Sequence, residues 1–240
     1  MARVGYGDRV EGVHAVAAAV AAGRVRKLYV ERRRLSNLSG VVSMVDDSIV
    51  RLVDDVREMA QTDAPQGIVA DCRPILAVDL ATLATEDAAI ITLDHLEDPH
   101  NVGAVARSAA AAGMTGLVVS SRRSAPLSAA AFKTAAGAME NLPIAGVGSI
   151  PEALRRLQAD GVWVVGLDSR GDQDLFDLDL LTEPVTIVVG AEGSGLAELT
   201  RKRCDLIASI PMAGGTDSLN ASVSAALASF EIMRVRERSG

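Results

Sequence analysis

The chain is poor in several residue types, and each scarcity removes a class of function. Its 240 residues include two cysteines, Cys72 and Cys204, and three histidines, His14, His95 and His100. Their spacing supports neither a disulfide framework nor a zinc-type ligand set, so no metal is expected. Aromatic residues make up 2% of the chain, namely Tyr6, Tyr29, Phe132, Trp163, Phe176 and Phe230. Extensive stacking of nucleic-acid bases on aromatic platforms is therefore not expected. No apolar run approaches the ~18 residues of a membrane span, and the opening MARVGYGDRV lacks the apolar core of a signal peptide. The expectation is a cytoplasmic protein with no membrane partner. A net charge of −7 excludes a uniformly basic coat for nucleic acid, although not a local basic patch. Lysine is scarce as well. Lys27, Lys133 and Lys202 stand against 21 arginines, which supplies many planar, bidentate phosphate donors.

What remains is ordinary globular composition, 49% apolar and 23% charged, in a chain long enough for one large domain or two modest ones. Residues 11–22, EGVHAVAAAVAA, read as a helix with Gly23 as its C-cap, and VRKLYV follows as a strand. The next turn carries an arginine run. Arg24, Arg26, Lys27, Arg32, Arg33 and Arg34 form the most basic window of the chain, with Glu31 as the single opposed charge. SIVRLVDDVREMAQ (48–61) shows helical apolar spacing, and GIVA (67–70) reads as a strand. Residues 1–74 are thus expected to form a small α/β unit, and with 11 cations against 10 anions, where the remainder has 13 against 21, it is the better candidate to face a polyanion such as nucleic acid. A linker is expected over 75–88.

From residue 89 onward strands and helices alternate. AIITLD, GLVVS, GVWVVGL, VTIVVG and LIASIP are short apolar strands, with helices over 101–112, 129–140 and 218–236. That pattern predicts a parallel sheet covered on both faces.

Three loops carry the chemistry. DPHNVGAVARSAAAAG (98–113) follows the first of these strands. Asn101 can cap its helix, and Arg107 stands among alanines either as a functional group or as a solvated helix arginine. The small residues around it, Gly103 among them, would admit another backbone closely. VTIVVGAEGSGL (185–196) ends a buried strand in Gly190, Gly193 and Gly195 around Glu192, a turn able to offer amides to a ligand or to serve only as a turn. Its spacing is G-x-x-G-x-G, not the G-x-G-x-x-G of a nicotinamide-binding dehydrogenase. IPMAGGTDSLNASVSAAL (210–227) brings Asp217, Ser218 and Asn220 to the start of the last helix. One of these can cap it, and the others are left to position a substrate.

In this order the three loops resemble the SpoU/TrmH family of RNA ribose 2′-O-methyltransferases in the SPOUT superfamily. KTAAGAMENLPI (133–144) resembles the family's middle segment, and EGVHAVAAAVAAGRV with QGIVA resembles the small domain preceding it in the large-subunit rRNA guanosine branch. Such relatives carry His before QGIVA, where this chain has Pro65. The resemblance implies an α/β fold: a SPOUT-type parallel-sheet domain over 89–240 with a C-terminal trefoil knot, behind a small α/β substrate-binding domain. It implies S-adenosyl-L-methionine as cofactor, held by Gly190, Glu192, Gly195, Ile210, Met212 and Leu219. It assigns catalysis to Asn101, Arg107, Glu192, Ser218 and Asn220, and phosphate contacts to the basic window. It further implies a homodimer acting on RNA, foremost a guanosine of 23S rRNA. The alternatives are a tRNA target, a resistance-conferring rRNA target, and an RNA-binding relative without turnover.

Overall fold

The computed structural model describes residues 5–121, 127–214 and 218–239. Its first part runs β1 (Gly5–Tyr6), β2 (Arg9–Glu11), α1 (Val13–Ala21), β3 (Val25–Glu31), α2 (Leu35–Val42), β4 (Val50–Val53), β5 (Ile68–Cys72) and β6 (Ile75–Leu76). Four of these strands form a sheet in the order β2-β5-β3-β4, with β3 and β4 parallel and the other pairs antiparallel. β1 pairs with β6. Helix α1 buries Val16, Ala19 and Val20 and ends at Gly23, whose φ of +65° suits a residue without a Cβ.

The helix expected over 48–61 does not form. Val50–Val53 pairs in parallel with Leu28–Glu31, where β-branched side chains fit a pleated surface. Beyond it, the backbone amides of Gln61 and Thr62 donate to the buried carboxylate of Glu11, so these donors are spent on a side chain rather than a helix. Helix α2, LSNLSGVV, carries two serines, an asparagine and a glycine, and its propensity alone does not announce it.

The second part runs β7 (Ala89–Asp94), α3 (Pro99–Ala111), β8 (Gly116–Ser120), α4 (Ala129–Ala135), β9 (Ile144–Val147), α5 (Ile150–Ala159), β10 (Trp163–Leu167), β11 (Gln173–Asp174), β12 (Val185–Gly190), α6 (Glu198–Arg201), β13 (Leu206–Ser209) and α7 (Ala221–Ser239). Among the described residues its strands form a seven-stranded, all-parallel sheet in the order β11-β13-β10-β12-β7-β8-β9. Every residue of β7 and β12 is buried, as strands covered on both faces must be. Alternation assigns the faces. Ile91, Leu93, Ile187 and Val189 pack in one core with Val102 and Val105 of α3 and Ala225, Ala228 and Ile232 of α7. Ile90, Val164 and Val188 pack in the other with Ile150, Leu154 and Leu157 of α5.

The helix expected over 129–140 is shorter. It stops at Ala135 because Ala136 and Gly137 turn left-handed, with φ of 50° and 97°. At Gly137 a Cβ would collide with that of Ala18, so the break lets α1 dock. The two parts are further pinned by Arg24, whose guanidinium reaches Glu140 through two bonds of 2.6 Å and the Gly7 carbonyl at 3.0 Å. One hydrophobic cluster runs from Val10 and Val16 through Phe132 and Met139 into the large sheet. Between them, in 75–88, β6 pairs with β1, and Leu80 and Leu83 are buried.

Candidate active site

The carboxyl ends of β10, β12 and β13 converge, and the loops leaving them enclose a cleft of about 470 Å³. This is the edge at which open parallel sheets place ligands. Leu167, Val189, Ile210, Met212 and Leu219 supply apolar walls. Gly190, Glu192, Gly193 and Gly195 form one side, and Ser218 lies at the start of another. The glycines answer two needs, close packing at Gly190 and left-handed backbone at Gly193 and Gly195. A Cβ on Gly190 would overlap the backbone of Gly195 and Leu196, and Gly193 and Gly195 have φ of +81° and +67°. The turn closes on itself through Gly195 N–H to the Ala191 carbonyl at 2.9 Å. Its far end is tied by the Ala197 amide, which donates at 2.8 Å to the fully buried Asp94. His95, at φ +59°, bonds the other Asp94 oxygen at 2.6 Å.

Beside the cleft three expected residues meet. Glu192 Oε1 accepts from Asn101 Nδ2 at 2.9 Å and also from Asn220 Nδ2. Asn220 Nδ2 also donates to Asn101 Oδ1 at 3.2 Å, which closes a triangle. Asn220 Oδ1 faces the other way and caps α7, accepting from the Ser222 amide at 2.8 Å. One carboxylate therefore joins the start of α3, the glycine turn and the start of α7. Asn101 is not the cap of its helix. Asp98 is, through the His100 amide at 2.8 Å, with Pro99 in the first turn. Asp217, another expected cap, lies outside the described residues.

Other expected residues fall elsewhere. Arg107 lies six residues beyond Asn101 on α3, about 240° around the helix. It is exposed and makes no hydrogen bond or ion pair among the described residues. The close approach expected of this helix occurs at Gly103, where a Cβ would overlap the Ala131 carbonyl of α4. In the basic window Arg24 is consumed by Glu140 and two carbonyls, which takes it out of the set free to meet phosphate. Arg33 pairs with Glu31 at 2.8 Å, Arg32 with Asp54 at 3.4 Å, and Lys27 lies over the Tyr29 ring. Arg26, Arg32, Arg33 and Arg34 are exposed.

The cleft also contains residues that the sequence did not single out. Asp168 and Arg170 follow β10 and line its mouth. Burial favours the neutral acid at Asp168, but hydrogen bonds and charge from Arg170, with the charge of Arg201, outweigh it and hold the carboxyl below its ordinary range. The available signal was the tetrapeptide DSRG at the end of an apolar strand, on the sheet edge where parallel folds bind ligands. Among the described residues no group of three or more His, Cys, Asp or Glu is arranged to hold a metal ion. No described helix is long and apolar enough to cross a membrane.

Comparison with known proteins follows the same outline. Residues 88–230 match the model of the SpoU rRNA methylase family. The 23S rRNA (guanosine-2′-O-)-methyltransferase RlmB of Photobacterium profundum is 36% identical over 242 residues, covering 96% of this chain and 98% of that one. An uncharacterized tRNA/rRNA methyltransferase of Mycobacterium ulcerans is 40% identical over 83% of this chain and 67% of its own length. Among solved structures, the SpoU methyltransferase AviRb from Streptomyces viridochromogenes, in complex with the cofactor AdoMet, superposes with a TM-score of 0.80 at 30% identity, covering 95% of this chain and 90% of that one.

Proposed function

Because the chain belongs to the SpoU rRNA methylase family, we propose that it transfers a methyl group from S-adenosylmethionine to a ribose 2′-hydroxyl of RNA, with a guanosine of 23S rRNA as the target. The observation that carries this reading is the convergence of the glycine turn with Ile210, Met212, Ser218 and Leu219 on one cleft, at whose edge the Glu192 carboxylate holds Asn101 and Asn220. The cleft suits the cofactor. Packing of Gly190 against Gly195 and Leu196 holds the turn closed, its left-handed glycines leave backbone groups accessible, and the cleft's apolar walls match a nucleoside. Gly190, Gly195, Ile210, Met212 and Leu219 would hold it there, beside Glu192. When bound, S-adenosylmethionine supplies a methyl group already activated on a sulfonium.

The chain's own residues then have to align the ribose hydroxyl with that methyl group. Glu192 fixes Asn101 and Asn220, so the triangle keeps the three loops in register. Ser218 offers a hydroxyl at the cleft to orient the ribose. Arg107, unpaired and exposed, docks a phosphate of the substrate. Its guanidinium, with a pKa above ~12, is a poor base at neutral pH, and orientation is its minimum role.

Val223, Leu227 and Phe230, an exposed apolar stripe on α7 at helical spacing, support a homodimer in which a second copy completes the site with its Arg107. Residues 1–74 act as the RNA-engaging unit, with Arg26, Lys27, Arg32, Arg33 and Arg34 toward phosphate and 75–88 as the connection. The family fold implies that the tail after β13 is threaded.

Incubating the protein with labelled donor and ribosomal RNA, then mapping ribose methylation by mass spectrometry, tests the proposal. A 2′-O-methylguanosine in 23S rRNA is the expected product. A tRNA product, or a methylated adenosine or uridine, would move the target. No transfer to folded or naked RNA would remove the activity.

A further inference from the structure

The turn after β10 holds a second polar cluster that the methyl-transfer reading leaves unused. The Asp168 side chain is only 6% exposed. Its Oδ1 accepts from the Arg170 backbone amide at 2.9 Å and from Arg170 Nε at 3.1 Å. Its Oδ2 accepts from Arg170 Nη2 at 3.2 Å and Arg201 Nη1 at 2.6 Å. The carboxylate is thereby saturated with arginine donors and has little capacity left for a ligand. Two guanidiniums share one negative charge, so the cluster presents a net positive charge.

Arg170 is the group it presents. Its side chain is 79% exposed, and it is held by a fork of bonds to a carboxylate that is itself nearly buried. Nη1 has no partner among the described residues. Among the described residues lining the cleft, Arg170 is the only cation. The other walls are apolar side chains, small residues and backbone, and Glu192 is occupied by two asparagines. S-adenosylmethionine has a single anionic group, the carboxylate of its amino-acid arm, and a guanidinium fixed at the rim is its natural counterpart.

We propose that Arg170, oriented by Asp168, clamps the cofactor's amino-acid carboxylate, adding a side-chain contact to a site otherwise built from backbone and apolar walls. Asp168 is a positioning residue in this scheme. The proposal rests on the reading of the cleft as the cofactor site.

Calorimetry separates the two. The wild-type protein, R170A and R170K are each titrated with S-adenosylmethionine, S-adenosylhomocysteine and 5′-methylthioadenosine, which keeps the nucleoside and sulfur but lacks the amino-acid arm. In both variants Asp168 keeps the Arg201 guanidinium and the backbone amide of residue 170, and thermal unfolding checks that each is folded before it is titrated. R170A is expected to weaken the two carboxylate-bearing ligands roughly tenfold and to leave methylthioadenosine unchanged. R170K, which keeps the charge but not the fork, is expected to fall between. Equal loss on all three ligands, or no loss on any, overturns the clamp while the cofactor site stands. Unchanged cofactor affinity with a raised KM for RNA also overturns it, and would assign Arg170 to phosphate. Failure of the wild-type protein to bind S-adenosylmethionine removes the underlying reading as well.

Discussion

Glu192 is exposed, yet it is the one carboxylate on which three chain segments meet. Glu192→Ala removes the oxygen that accepts from both asparagines and leaves two amide donors without their partner. Methyl transfer in a single-turnover assay is expected to fall at least about tenfold, since donors left unpaired cost more than a lost bond. Arg107→Ala should leave cofactor affinity by calorimetry nearly intact and abolish most methylation. Wild-type turnover would remove Arg107 from the mechanism. The thiols make a third case. Burial pushes Cys72 up to about 11, and burial followed by the charges of Asp205 and Asp94 pushes Cys204 up to about 12. Raised values mean that the folded state favours the neutral thiol. Their contribution to stability is fully present below the unfolded thiol value of about 8.5 and is lost as pH rises toward 11 and 12. Iodoacetamide at about pH 8, below that unfolded value, should therefore label neither thiol until the protein is denatured, as intact-mass measurement would show. At this scale the sequence pointed to the glycine turn, where the structure shows Gly190 without room for a Cβ and Glu192 bonded to both asparagines. Asp168 and Arg170 were missed because their meaning lies in Arg201 and the glycine turn, brought near only by adjacent strands.

Elements were legible where apolar periodicity was unambiguous and the chain had no competing partner. The buried runs of β7 and β12 are of this kind, as is α1 with its terminal glycine. Segment 48–61 misled because valine and leucine at helical spacing also fit a strand, and the deciding partner, Glu11, lies far earlier in the chain. The break in α4 was hidden for a similar reason, since Gly137 is required by Ala18 on another element. That junction can be tested. Glu140 and Arg24 have side chains 3% and 11% exposed, so Glu140→Gln takes the counter-charge from a buried guanidinium that keeps its bonds to the Gly7 and Arg73 carbonyls, and is expected to cost about 3 kcal/mol in denaturant unfolding. Replacing both with methionine should recover much of the loss, because the desolvation of both charges disappears with them. A double variant as unstable as the single one would show that the pair does not hold the junction.

For the molecule as a whole, the sequence conveyed the alternation of strand and helix but not the strand order, which depends on crossovers that no local pattern records. The oligomeric state belongs to this scale. Val223→Asp with Leu227→Asp places two charges on the apolar stripe of α7. It is expected to shift the protein to a monomer in light scattering and to suppress methylation while each protomer still binds cofactor. A dimer that survives both charges would place the interface elsewhere. The triangle of Asn101, Glu192 and Asn220 also bears on how such a chain can be cut or shortened. Asn101 and Asn220 are 119 positions apart and still touch, so neither half inherits a working fraction of the apparatus. A nick in the intervening polypeptide would be tolerated only if the pieces stay associated, and a fragment released on its own would be inert rather than merely slow.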